Sequence, residues 1–216
     1  MTEKRTQSRR TVFGHLEIEY DDDVLEPRPW TEHQSRWAAA LLGGLPAGDV
    51  LELCAGVGHI GLLAVSGSSR HLVQVDAGAR QCELAEINAA RAGNRSVEVR
   101  HGDLEAAIEP DEKFVLVIAD PPWVVSARTD DHPDDPLSAI DGGRDGLDLV
   151  RSCLDVIGRH LAPAGAAVLQ VGPEQSEPVA RYVTDWPHLG LRVVESRSYE
   201  DGALVHLARL TQDATG

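Results

Sequence analysis

Polar and apolar residues alternate in Leu16-Glu-Ile-Glu-Tyr20, within a segment covering residues 12–20. That period of two predicts a half-exposed strand. Pro27 and Pro29 then interrupt the chain. Thr31 is placed to cap a helix running through Trp37-Ala-Ala-Ala-Leu-Leu42 and stopped by Gly43-Gly44. From residue 49 the rhythm changes. Short apolar runs at 50–53, 72–75, 97–99, 114–119 and 166–171 alternate with helical patterns such as 79–92 and 147–161. Alternation at this spacing predicts an α/β fold, a parallel sheet covered by helices. Beyond Gly190, segments 191–195 and 203–208 leave room only for a turn at Asp201-Gly202. They should pair antiparallel at one sheet edge.

Composition narrows the class. The 216 residues carry 20 Lys and Arg against 35 Asp and Glu, a net charge of −15. A nucleic-acid binder needs a basic face, so nucleic acid is not the expected partner. With 42% hydrophobic residues the chain is not wholly disordered. No apolar run is long enough for a membrane span, and the first ten residues lack the apolar core of a leader. A soluble, cytoplasmic protein without membrane association is expected. Cys54, Cys82 and Cys153 form neither a disulfide framework nor a zinc pattern. No metal site is expected, and Cys82 and Cys153 read as core residues.

The segment Val50-Leu-Glu-Leu-Cys-Ala-Gly-Val-Gly-His-Ile-Gly61 is a buried strand, a turn of small residues and a helix start near His59. Small residues let backbone approach a ligand closely. Two ligands compete for this loop. Gly56-Val-Gly-His-Ile-Gly61 matches a dinucleotide fingerprint, with Asp76 ending the next strand, which would suit NAD. The same loop suits S-adenosylmethionine, with acids after three successive strands. Glu52 would hold the amino-acid end, Asp76 the ribose hydroxyls, and Asp103 in His101-Gly-Asp-Leu104 the adenine edge. His59 reads as a surface histidine.

At the end of the next strand stands Ala119-Asp-Pro-Pro-Trp-Val124. The prolines fix a turn. A main-chain carbonyl there and the Asp120 carboxylate can grip the hydrogens of an NH₂ group and aim its lone pair at a methyl donor. Trp123 offers a flat face to a planar group or a cation. The irregular stretch 120–145 holds four prolines and two glycines. Loops this long in compact domains are commonly functional. It follows a parallel strand at the end where open α/β sheets place ligands. Eight acids and two arginines lie between residues 120 and 148, which should repel phosphates and attract cations.

These motifs, in this order, resemble the class I S-adenosylmethionine-dependent methyltransferases, and within them the HemK/PrmC group of glutamine N5-methyltransferases. The likeness runs from about Phe13 to the end. The segment Leu25-Glu-Pro-Arg-Pro-Trp-Thr-Glu32 resembles the family's run ahead of the fold. Asp120-Pro-Pro-Trp123 stands where the family has Asn-Pro-Pro-Tyr. Asp141-Gly-Gly-Arg-Asp-Gly-Leu147 and Leu161-Ala-Pro-Ala-Gly165 match its later glycine-containing segments. Three positions depart from the pattern: Cys54 replaces a glycine, Asp120 an asparagine and Trp123 a tyrosine. The family's bacterial N-terminal domain, which recognises the release factor, has no counterpart in this reading.

The resemblance implies a Rossmann-like, seven-stranded sheet, parallel except for one antiparallel strand near the C-terminus, with helices on both faces. One domain is expected over residues 1–216, with 1–11 frayed and 12–45 forming a strand and helix over the cofactor. The catalytic set is Asp120, Pro121, Pro122 and Trp123. The set for S-adenosylmethionine and its product S-adenosylhomocysteine is Arg28, Thr31, Glu52, Leu53, Cys54, Ala55, Gly56, Gly58, Asp76, Ala77, Gly102, Asp103, Leu104 and Asp120. An ionised Asp120 offers only acceptors, so an amine, amidine or amide nitrogen of a small molecule is the favoured substrate. The alternatives are a protein glutamine, with a small activator subunit as a possible partner, and an NAD-binding protein.

Overall fold

The computed structural model describes residues 7–94 and 96–210. Residues 1–6 of the segment expected to fray lie outside them. The rest of that segment is ordered. Strand β1 (Arg9–Phe13) pairs antiparallel with β2 (Leu16–Tyr20), so Arg9, Arg10 and Thr11 face Tyr20, Glu19 and Ile18. The single strand expected over residues 12–20 is therefore a hairpin. Its corner is Gly14, at φ +62°, where a Cβ would strike the Leu63 side chain at 2.8 Å. Phe13, Leu16, Ile18 and Tyr20 are buried, while Arg10 pairs with Glu17 and Glu19 on the outside.

A turn of 3-10 helix, Pro29–Thr31, leads into α1 (Glu32–Leu42). Thr31 precedes the helix as the sequence suggests, but its hydroxyl donates to the Arg28 carbonyl at 2.8 Å and leaves the helix N–H groups uncapped. Gln34 of α1 is buried, and its Nε2 donates to the carbonyls of Ala119 and Val168 at 2.9 and 3.1 Å. That bond pair fastens the N-terminal segment over the sheet.

The main sheet comprises β3 (Asp49–Leu53), β4 (Leu72–Asp76), β5 (Val97–His101), β6 (Phe114–Ala119), β7 (Leu161–Val171), β8 (Leu191–Tyr199) and β9 (Gly202–Arg209). Their spatial order is β5-β4-β3-β6-β7-β9-β8. The first four pairings are parallel, and β9 runs antiparallel to both β7 and β8. The seven-stranded sheet with one reversed strand is as expected. The order turns back between β3 and β6, and that switch point opens a crevice beyond their C-terminal ends.

Alternation along β6 builds both layers. Val117 and Ala119 join a core with Val150, Leu154 and Ile157 of α5 (Asp148–His160). Leu116 and Ile118 join one with Trp37 of α1, Leu62 of α2 (His59–Val65) and Leu84 of α3 (Ala79–Arg91). Each Val, Leu or Ile side chain among them contributes about 1.5–3 kcal/mol when removed from water. The stretch 120–145 is not bare loop. It holds a 3-10 turn, Ser126–Asp131, and the short helix α4 (Leu137–Ile140). Helix α6 (Ser176–Asp185) completes the face covered by α5. Among the described residues no helix is long and apolar enough to cross a membrane.

Candidate active site

Two clefts open side by side at the switch point. The larger, about 900 Å³ with its open mouth counted, lies over the β3–α2 loop and is lined by Cys54, Ala55, Gly56, Asp76, Ala77 and Leu104, among others. The second, about 750 Å³, is lined by Trp30, Pro121, Trp123, His132, Asp135 and Gln170, among others. Leu25, Arg28, Thr31, Asp120, Pro122 and Ala139 line both. The Asp-Pro-Pro-Trp motif thus forms the boundary between them. The N-terminal segment supplies the other side through Arg28 and Thr31, and Arg28 is ion-paired with Asp135 of the long loop.

In the larger cleft the loop geometry follows from its residues. Gly56 and Gly58 sit at φ +54° and +78°. Cys54 adopts φ +54°, a conformation that ordinarily favours glycine, where the family pattern has one. Its thiol is held well above the ordinary range by a hydrogen bond with Cys153 and by burial. Space opens above Gly56, where a Cβ would meet nothing within 4 Å. Asp76 accepts from the backbone N–H of Gly56 at 2.8 Å and of Gly78 at 2.9 Å. Burial raises its carboxyl above the ordinary value, against those two bonds.

Several residues expected at the ligand stand elsewhere. Glu52 points under the loop. It accepts from the Gly61 N–H at 2.9 Å and from Gln74 Nε2 at 2.6 Å, and burial pushes it up to about 7. Its role is to hold the loop against α2. A Cβ on Gly58 would lie 2.6 Å from Gln74 Nε2, so that glycine also serves the loop's underside. Leu53 is fully buried core, and Asp103 is exposed, its carbonyl accepting from Ala106 and Ala107. Neither they nor Gly102 are among the walls of the cleft.

His59 corrects the surface reading. It lines the larger cleft, packs edge-on to Phe13 with ring centres 4.7 Å apart, and burial pushes it down to about 3. Gln170 was legible only as a polar interruption of the apolar run 166–171. Trp30 lies in the run Leu25-Glu-Pro-Arg-Pro-Trp-Thr-Glu32 without being singled out there, and no motif marked His132.

In the second cleft the Asp120 N–H points at the Leu53 carbonyl, 3.4 Å away. Its carboxylate has no hydrogen-bond partner among the described residues, and burial pushes it up to about 7. Trp123 is braced from behind. Its carbonyl accepts from Gln175 Nε2 at 3.0 Å, and a Cβ on Gly172 would touch its ring at 2.9 Å. Val124 continues the motif by exchanging backbone bonds with Ile140 and Gly142 at 2.9 and 2.8 Å. Much of the acidic charge read from the sequence is engaged by partners in the loop and beyond it. Asp135 pairs with Arg28, Asp131 with Arg128, and Asp145 and Asp148 with Arg151, while Asp141 accepts from Ser126. The loop therefore presents less of a cation trap than its composition suggests. Among the described residues no cluster of three or more His, Cys, Asp or Glu is placed to hold a metal ion.

Residues 36–133 match the family model of the methyltransferase small domain. A release factor glutamine methyltransferase of Koribacter versatilis is 31% identical over 187 residues, covering 81% of this chain and 66% of that protein. One from Bordetella pertussis is 31% identical over 195 residues, covering 87% of this chain and 70% of that protein. The chain thus spans about two thirds of the length of these relatives. A solved methyltransferase structure from Pyrococcus furiosus shares the fold, with a TM-score of 0.66 at 18% identity over 91% of this chain and 90% of that one.

Proposed function

The chain belongs to the release factor glutamine methyltransferases of the HemK/PrmC group, and on that premise we propose that it is an S-adenosylmethionine-dependent N-methyltransferase acting on the side-chain amide of a glutamine in a protein. The observation that carries the reading is Asp120, whose unpartnered carboxylate stands on the boundary of two adjoining clefts. One cleft has the size and the small-residue floor for a nucleoside with an amino-acid tail. The other has aromatic walls and a deep acceptor.

Cys54, Ala55 and Gly56 would carry the amino-acid portion, Asp76 the ribose hydroxyls, and Ala77 and Leu104 the base, with Arg28 and Thr31 closing over it. When bound, S-adenosylmethionine supplies a methyl group already activated on a sulfonium. The chain's task is then placement. Asp120 and the Pro121 carbonyl accept the two hydrogens of the acceptor NH₂, and Trp123 covers its plane. Holding two reactants in line can supply on the order of 7–11 kcal/mol of a barrier. As the nitrogen gains a methyl group it becomes cationic, and Asp120 is placed to stabilise that charge and take the proton.

The relatives are named for a protein glutamine, which favours this acceptor over the small molecule expected from the isolated motif. The ion-paired loop acids point the same way, since less free negative charge is left to select a cationic amine. The test uses the full chain, methyl-labelled S-adenosylmethionine and a peptide bearing a single exposed glutamine. Tandem mass spectrometry should place one methyl on the glutamine side chain. Label only on amine-containing small molecules, with none on the peptide or on proteins, would overturn the assignment.

A further inference from the structure

The pairing of β6 with β7 runs through Ala119↔Leu169. One residue beyond that pair come Asp120, where the chain leaves β6, and Gln170, which is still in β7. Both follow the face of Ile118 and Val168, which belong to the core beneath α1. Both line the acceptor cleft. Gln170 is only 4% exposed, yet its side-chain amide is poorly served. Nε2 reaches the Val171 carbonyl at 3.4 Å, and Oε1, which keeps some solvent exposure, has no protein hydrogen bond among the described residues. The fold also makes room for this amide. A Cβ at Gly202, the first residue of β9, would lie 2.2 Å from Gln170 Nε2.

Resting on the glutamine reading above, we propose that Gln170 selects the acceptor as a primary carboxamide by pairing its own amide with it. When the acceptor's NH₂ faces Asp120 and the Pro121 carbonyl, its C=O still lacks a donor. A half-turn of the Gln170 terminal torsion gives up the long bond to the Val171 carbonyl, exchanges Oε1 and Nε2 and presents that donor. Arg28, a stronger donor in the cleft, is engaged by Asp135. An amine offers no C=O for this bond, and a carboxylate would be repelled by Asp120 beside it. Gln170 thus reads the half of the acceptor that the Asp-Pro-Pro-Trp motif leaves unread.

The experiment compares the wild-type chain with Gln170→Met, which keeps length and removes both hydrogen-bonding groups. The probes are a peptide with one glutamine as acceptor and the same peptide with methionine there as a competitive inhibitor. Gln170→Met should raise KM for the glutamine peptide roughly tenfold, the worth of one buried hydrogen bond. It should leave kcat within about threefold and S-adenosylhomocysteine affinity unchanged. The methionine peptide should bind Gln170→Met as tightly as wild type, or more tightly. That split separates recognition from a structural role, because a misfolded variant would lose the homocysteine product as well. An unchanged KM, or equal weakening of both peptides, would overturn the proposal while leaving the glutamine reading intact. A wild-type chain that methylates no glutamine overturns that reading, and this inference with it.

Discussion

Asp120 gives the account its sharpest pH dependence. Burial pushes its carboxyl up to about 7. The form that accepts N–H hydrogens and takes a proton is the carboxylate, so activity should rise with pH. With a titration near 7, roughly one tenth of the groups are ionised at pH 6 and nine tenths at pH 8. The rate at limiting cofactor should therefore climb about tenfold between those values and level off above pH 8. A cation bound in the adjoining cleft favours the carboxylate, so saturating S-adenosylmethionine should move the rise to lower pH. Its binding near pH 7 should then release protons, which calorimetry in buffers of different ionisation enthalpy reads directly. The neutral sulfur of S-adenosylhomocysteine should release fewer. Asp120→Asn restores the family's residue and removes the titration. It should flatten the profile and lower the plateau by about 2- to 30-fold, the difference between charge-assisted and neutral bonds. Glu52 titrates in the same range, so Glu52→Gln is the control and should keep the rise. A wild-type profile flat from pH 6 to 8, or an equal rise in Asp120→Asn, would refute the assignment of the proton to Asp120.

Three further outcomes follow from the same geometry. Glu52 is raised from 4.5 to about 7 by burial, so the folded state keeps a proton that the unfolded chain gives up. Stability conferred below pH 4.5 is lost as pH climbs through 7, at a cost of about 3 kcal/mol in order of magnitude. Glu52→Gln should remove its share of that loss, seen as a smaller fall in urea unfolding free energy between pH 5 and 8, with the fall that remains belonging to Asp120. Asp120→Ala should abolish methyl transfer while S-adenosylhomocysteine binds as before by calorimetry; loss of both together would contradict the division between the two clefts. Gly58→Ala, at φ +78° with Gln74 2.6 Å away, should cost about 1–3 kcal/mol of stability and weaken cofactor binding, measured by melting with and without ligand.

The parallel strands were legible because each is a short apolar run with a turn after it, and β6 appears at its true limits. The hairpin of β1 and β2 was not, because Phe13-Gly-His15 interrupts the alternation only for the length of a tight turn. The Asp-Pro-Pro-Trp motif could be read directly, since its chemistry lies in adjacent residues. Glu52 misled because a strand-terminal acid can turn toward the ligand or beneath the loop, and only the bonds from Gly61 and Gln74 decide. His59 looked superficial because Phe13 and Thr31, which enclose it, are distant in sequence. The acidic loop overstated its pull on cations for a similar reason. Arg28 and Arg151, which neutralise parts of it, lie outside the stretch that was counted.

The central claim is that one carboxylate stands between a cofactor and a protein-borne glutamine. Its most direct test is transfer of labelled methyl from S-adenosylmethionine into an extract of the source cell, separated by size and digested for mass spectrometry. The account predicts label in protein, on a glutamine side chain, and none when Asp120→Ala replaces the wild-type chain. Label confined to small molecules, or glutamine methylation that survives Asp120→Ala, would contradict it.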